Sequence, residues 1–445
     1  MAAPLNPPAR TAPVTLRMVL AIALPMTIAH ATTPLIGITD MAVIGQLGSA
    51  ALIGAVALGA LLFDFVGASF NFLRHGTTGL IAQAVGAGDR EGEAVALWRA
   101  LAIAAVLGLA IALLQWPMIA AFIAIMDPSE EVAEATRTYF AWRVWGSPFM
   151  LANYAILGWL LGLARAGTGL ALQVLLAGVN IALSLALVLG AGLGVAGVAI
   201  ASVAAEAVTF AAGVVLIARS LRTAPRPPWS AVFERLGFTR TLVVNRDILI
   251  RSWLLVSAFA LFTAAGARAG DVTLAANAIL LNIFLLTAHV LDALATAAEQ
   301  LGGKAVGARD RGAFRATLRL TLVAGVVVSV ALAGLWMLAG PHFIALMTSA
   351  ADVRASAGAF LGWVALTAVT GMIAFVMDGL FIGATWTAAM RNMMLLSTGT
   401  FFAACWLLTP YLGNHGLWLA LNVWLMLRGL SLWVLVPRES RRTFG

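Results

Sequence analysis

What most constrains this chain is that apolar stretches of about 20 residues, each long enough to cross about 30 Å of hydrocarbon as a helix, recur from near its beginning to near its end. Runs bounded by charged residues or by Gly and Pro fall near 18–43, 50–73, 97–118, 138–160, 168–189, 194–218, 249–267, 273–297, 316–338, 357–381, 393–410 and 414–436. Backbone polar groups in lipid must be satisfied within the segment, so these runs are expected to be helices. Twelve is an even number and returns the chain to the side on which it started. Composition agrees: 62% of the residues are hydrophobic and 10% charged, against about 45–50% and about 25% in soluble domains. So few charges cannot cover a water-soluble surface on 445 residues.

Basic residues set the expected orientation. With the tails and alternate loops assigned to one side, that side collects 22 of the 27 Lys and Arg, including seven arginines from Arg219 to Arg251. Arg137, Arg143, Arg268 and Arg354 fall on or near the other side, and Arg428 lies within the last run. The positive-inside rule then predicts that both termini are cytoplasmic, in a multi-pass protein of a bacterial inner (plasma) membrane. A signal peptide cut near Ala29-His30-Ala31 is not expected, because the apolar run continues past that point and has a counterpart near residue 250.

A repeat organises the rest. Ala84-Val85-Gly86-Ala87-Gly88-Asp89-Arg90 matches Ala305-Val306-Gly307-Ala308-Arg309-Asp310-Arg311 at six of seven places, at an offset of 221 in the numbering. Gly48 pairs with Gly270, Gly158 with Gly379 and Gly162 with Gly383 at offsets of 221 or 222, and Leu-Gly-x-x-Gly at 193–197 recurs at 412–416. Six helices separate equivalent points, so the halves run parallel and are related by an axis along the membrane normal. The expected organisation is a tail at 1–16, a lobe of six helices at 17–218, a cytoplasmic linker rich in Arg and Pro at 219–247, a second lobe at 248–437 and a tail at 438–445. Two such lobes predict a transporter, with substrate held where they face one another.

Several function classes drop out. The net charge of +8 comes from arginines in short loops and not from a basic face interleaved with aromatics, so no nucleic-acid partner is expected. The single cysteine, Cys405, lies in an apolar run and supports neither a disulfide nor a metal site. No Walker A, GxSxG or HExxH signature appears. The expectation is a protein that is not an enzyme, with no cofactor, no resident metal and no obligate protein partner.

A carboxylate at mid-membrane costs about 2.5–3.5 kcal/mol even on the lenient insertion scale and needs a proton, a partner or water. Asp40, Asp64, Glu206, Asp292 and Asp378 lie in the expected spans, with Glu299 at a cytoplasmic end. Asp40 follows Pro25 and Pro34, each of which removes a backbone hydrogen bond and permits a bend. Its repeat counterpart is near Leu261 or Phe262, so this acid belongs to one lobe alone. Such an acid can exchange a proton for a cation, or simply bond a neighbouring helix. Asp64 is also near the midplane and has the same two readings. Glu206 and Asp378 are secondary candidates for ion binding, with interhelical bonding to Ser, Asn or Arg as the alternative. Asp292 and Glu299 read as structural partners of nearby arginines. Asn180, Ser184 and Ser202 offer amide and hydroxyl groups to an acid, or close packing; His30 reads as a relay or a packing residue.

Taken together, the strings Gly37-Ile38-Thr39-Asp40-Met41-Ala42-Val43-Ile44-Gly45-Gln46-Leu47-Gly48 and Phe72-Leu73-Arg74-His75-Gly76-Thr77-Thr78-Gly79 resemble the multidrug and toxic compound extrusion (MATE) family in its DinF branch. So do Leu291-Asp292-Ala293, Ala298-Glu299, Asp378-Gly379-Leu380-Phe381-Ile382-Gly383 and Met390-Arg391-Asn392. The resemblance implies a V-shaped, all-α pair of six-helix lobes that exports cationic or amphipathic organic compounds in exchange for protons, or in some members for sodium ions. It implies Asp40 as the protonation and substrate switch, Pro25 as the helix-bending residue, and Asn180 as part of a helix-five network. Where relatives carry an Asp four residues after that Asn, this chain has Ser184, and Asp64 is the candidate substitute. A lipid-linked precursor flippase and a membrane-embedded enzyme are the rival readings; the first would bring extra helices or a basic central cavity, the second converging nucleophiles or metal ligands.

Overall fold

The computed structural model describes residues 13–223 and 227–445, and among the described residues every regular element is a helix. The spanning helices are α1 (Leu16–Gly45), α2 (Ala50–Ala87), α3 (Arg90–Leu113), α4 (Glu130–Gly162), α5 (Ala166–Gly190) and α6 (Gly194–Ser220), then α7 (Arg235–Arg268), α8 (Asp271–Gly307), α9 (Arg311–Met347) and α10 (Ala351–Gly383). The last continuous run, Thr387–Phe444, breaks at Gly413, whose φ of 54° and ψ of −136° are not helical. It therefore forms two helices, α11 (387–412) and α12 (414–444), and the total among the described residues is the twelve expected. Short helices at Gln115–Met126 and Trp229–Val232 follow α3 and precede α7.

Most helices overshoot their apolar runs. α7 begins at Arg235, inside the segment expected to be linker, and α4 begins at Glu130, ahead of its run. A polar turn outside the apolar run still closes its own hydrogen bonds, so hydropathy marks the hydrocarbon-matched part of a helix and not its ends. α1 continues as helix through Pro25 and Pro34. Residues 1–12 of the expected tail and 224–226 of the expected linker lie outside the described residues.

The repeat is built into the packing. Asp89 accepts the amide of Gly92 at 2.8 Å to start α3, and Asp310 accepts that of Ala313 at 2.9 Å to start α9, each satisfying an amide that the helix start would leave open. The one mismatch in the seven-residue motif keeps its conformation: φ is 70° at Gly88 and 52° at Arg309. Holding Arg309 there costs roughly 1–2 kcal/mol relative to an ordinary helical residue, a cost the equivalent glycine avoids. Close helix crossings repeat too. A Cβ on Gly158 would collide with the carbonyl of Arg74, and one on Gly379 with the carbonyl of Ala295. Gly162 meets Ile81 and the carbonyl of Thr78, and Gly383 meets that of Glu299. In each pair the glycine and the carbonyl it faces shift together by the offset of the repeat.

Two compact units result. The C-unit comprises Met1–Thr27, Ala82–Gly88 and Arg246–Gly445; the N-unit comprises Ile28–Ile81 and Asp89–Asn245. The break between Asn245 and Arg246 therefore falls inside α7, and the end of α2 is counted with the C-unit. There Gly86 abuts the carbonyl of Lys304 while Gly307 abuts the carbonyl of Gln83. These residues are repeat equivalents, and the exchange is the reciprocal contact that a two-fold relation produces. The C-unit core includes Phe262 edge-on to Trp418, with centroids 4.9 Å apart, and holds the unpaired Cys405. In the N-unit, Trp159 and Phe140 are fully buried and Phe63 lies 5.5 Å from Phe140.

Candidate functional site

In the N-unit, α1 delivers Asp40 to α5. Asp40 is 6% exposed, and its Oδ1 accepts a 2.8 Å hydrogen bond from the hydroxyl of Ser184, which is fully buried. One turn earlier on the same face of α5, Asn180 donates through Nδ2 to Ser202 Oγ on α6 at 2.9 Å, and its Oδ1 is buried with no hydrogen bond. Directly after Ser184 the helix widens into a π turn over Leu185–Gly190, a departure from regular helix often found at functional positions. Asp40 has no cation within ion-pair distance among the described residues; its partner is a neutral hydroxyl.

A second group lies in the same unit. Arg143 ends the first part of α4, just before the 3-10 turn Val144–Gly146. Its Nη2 donates to Glu206 Oε1 at 2.6 Å, and its guanidinium sits 4.6 Å from the centroid of Phe63. Asn153 Nδ2 donates to the carbonyl of Glu206 at 3.0 Å. The charge of Arg143 acts electrostatically on both Asp40 and Asp64. Asp64 itself is exposed on α2 and makes no hydrogen bond or ion pair among the described residues.

The C-unit treats its acid differently. Asp378 on α10 receives Arg251 Nη1 from α7 at 2.9 Å and Arg428 Nη2 from α12, both on the same Oδ2. Arg428 also lies 5.8 Å from the ring centroids of Phe375 and Trp424. Asp292 and Glu299 on α8 contribute negative potential at Arg251. Nearby, the fully buried Asp247 accepts Arg391 Nη1 at 2.7 Å and Thr387 Oγ1 at 3.3 Å. Among the described residues no three His, Cys, Asp or Glu side chains gather as a metal site would require.

Comparison with known proteins decides the family. The MatE family model matches residues 25–186 and 248–407, one stretch in each half of the repeat. The chain belongs to the MatE family. Over 426 residues it is 39% identical to DNA damage-inducible protein F of Escherichia coli, covering 94% of this chain and 92% of that protein, which places it in the DinF branch. It is 25% identical over 437 residues to the probable multidrug resistance protein NorM of Agrobacterium fabrum, with 91% and 90% covered. Its fold matches that of a MOP superfamily transporter from Pyrococcus furiosus at a TM-score of 0.88 over 97% of both chains, with 18% identity. A MATE structure in the bent conformation matches at 0.87 over 96% of each, with 20% identity.

Of the residues singled out in this MatE chain by sequence, Asp40 and Ser184 are bonded to each other, as are Asn180 and Ser202. Glu206 and Asp378 are held by arginines, and Asp64 stands outside every hydrogen-bonded set. Pro25 is half-buried within an uninterrupted α1. Sequence reasoning left an arginine open as a partner of Glu206 and Asp378 and placed Arg428 within its run, but did not name Arg143, Arg251 or Arg428 as those partners. Arg143 counted among the charges on or near the non-cytoplasmic side and Arg251 as part of a cytoplasmic cluster, yet both are helical and nearly buried. The available signal was that Arg143, Arg251 and Arg428 each lie among apolar neighbours within a helical run, where an arginine needs an acid.

Proposed function

We propose that this MatE transporter is a secondary active exporter of cationic or amphipathic organic compounds, driven by exchange for protons, with Asp40 holding proton and substrate in turn. The supporting observation is the state of Asp40: buried, bonded to the neutral Ser184 hydroxyl, and with no cation within ion-pair distance among the described residues. A carboxylate in such a place binds a proton or a cation but not both, and each ligand biases the inward- and outward-facing populations. Mutual exclusion at one oxygen pair therefore couples the two fluxes. Asn180 and Ser202 tie α5 to α6 beside this acid, so movement of α1 is transmitted to a braced pair of helices. Pro25 offers α1 a place to bend. Asp64, under the same Arg143 field, serves as the second acid that Ser184 does not provide.

The basic residues favour cytoplasmic termini in a bacterial inner membrane, which directs export outward down an inward proton gradient. Sodium in place of protons is the alternative of the same fold. The deciding experiment loads proteoliposomes with a fluorescent organic cation and imposes a proton gradient, then a sodium gradient. The reading predicts proton-driven efflux by wild type and none by Asp40→Asn. Equal efflux by the variant would remove Asp40 from the mechanism, and efflux driven by sodium alone would replace the coupling ion.

A further inference from the structure

The Arg143–Glu206 pair shares the N-unit with Asp40 yet belongs to neither bonded set of the site. We propose that Glu206 acts as a keeper for Arg143, holding its guanidinium off Asp40 so that this carboxylate stays open to organic cations. Glu206 is then a positioning residue that sets selectivity for cations. The inference rests on Asp40 being the cation site.

Arg143 is the most dangerous competitor Asp40 has. A guanidinium matches a carboxylate in shape and charge better than most ligands do. Being tethered to the same unit, it would act at an effective concentration that a dissolved cation does not reach. It is close by: Glu206 lies one turn from Ser202 on α6, and the Asn180 that bonds Ser202 lies one turn from the Ser184 that bonds Asp40. What occupies it is Glu206, at 2.6 Å, with Phe63 beneath the guanidinium.

The hold is incomplete. Arg143 Nη1 and Glu206 Oε2 are both buried and neither has a hydrogen bond. The pair is joined through one oxygen only, and Tyr139 on the same helix is the other polar side chain that acts on the guanidinium. Gly146 leaves the space beside these two atoms: a Cβ there would stand 2.6 Å from Arg143 Nη1 and 3.2 Å from Glu206 Oε2.

Charge counting agrees. The ionisable groups that interact electrostatically here are Asp40 on α1, Asp64 on α2, Arg143, Tyr139 and Tyr154 on α4 and Glu206 on α6, with Arg74 of α2 acting on Tyr154. Three carboxylates against Arg143 and Arg74 still leave an excess of negative charge when all are ionised, which is what a cation site needs. With Glu206 made neutral, Arg143 would instead seek Asp40. The pair is also no requirement of the scaffold, since the equivalent positions in the second half of the repeat are Val364 and Leu425.

The test measures binding of tetraphenylphosphonium to purified full-length protein by calorimetry, with the thermal unfolding midpoint taken in parallel. Glu206→Gln is expected to weaken binding at least about tenfold, and Glu206→Gln combined with Arg143→Gln to restore it to within about threefold of wild type. Arg143→Gln alone is expected to bind at least as tightly as wild type. Wild-type affinity in Glu206→Gln, or a loss that the double variant does not restore, would overturn the proposal. Should Glu206→Gln fail to fold, weakened binding in Arg143→Gln overturns it alone. Asp40→Asn is run alongside: if it binds like wild type, the reading of Asp40 has failed, whereas a loss there with Glu206→Gln unaffected discards the keeper alone.

Discussion

Asp40 in the N-unit and Asp378 in the C-unit are equally buried, both at 6% exposure, and are treated in opposite ways. Asp378 receives two arginines on one oxygen, whereas Asp40 receives a serine hydroxyl. A buried acid saturated by guanidinium groups is a brace between α7, α10 and α12. One bonded only to a neutral group still lacks a counter-charge, and that lack is what a proton or substrate can fill. Burial alone therefore does not separate the two acids; the identity of the partner does, and the proposed role of Asp40 rests on that difference.

The comparison breaks most visibly if the two acids are neutralised in turn. Asp40→Asn is expected to reduce gradient-driven efflux to background with a normal unfolding midpoint. Asp378→Asn leaves Arg251 and Arg428 buried without their carboxylate, a loss of about 3–5 kcal/mol read as a fall in that midpoint, while the protein that survives keeps its response to the proton gradient. If the second variant were stable and uncoupled, the roles would be reversed. Smaller effects test the scaffold common to both halves. Gly379→Ala pushes a Cβ onto the carbonyl of Ala295 and is expected to cost about 1–3 kcal/mol of stability, with Gly158→Ala behaving alike because it faces the carbonyl of Arg74. Asp310→Ala removes the start of α9 and should cost about 1 kcal/mol, as should Asp89→Ala for α3.

The residues that repeat are those of the scaffold. Glycines at crossings and aspartates at helix starts recur at one offset because each half solves the same packing problem, and so they are legible in one dimension. The charged residues of the N-unit do not repeat: Asp40 corresponds to Leu261, Arg143 to Val364 and Glu206 to Leu425. Asp40 was nevertheless readable, since a lone acid in an apolar run stands out. Ser184 was readable as a nearby hydroxyl, and only the fold shows that it is the one that bonds. The arginine partners were hidden for a different reason. Arg143 and Arg251 lie near the ends of apolar runs, where an arginine normally snorkels to the headgroups, and nothing in their spacing names an acid 63 or 127 residues further along.

The most direct test of the account is proton release on binding. Tetraphenylphosphonium is added to purified protein in weakly buffered detergent solution containing a pH indicator. A cation that displaces a proton from Asp40 must release it, and cation affinity must rise with pH, by at most about tenfold per unit for a single proton. Wild type and Asp378→Asn are predicted to release protons and Asp40→Asn to release none, with an affinity that does not change with pH. Release from Asp40→Asn equal to that of wild type would contradict the account.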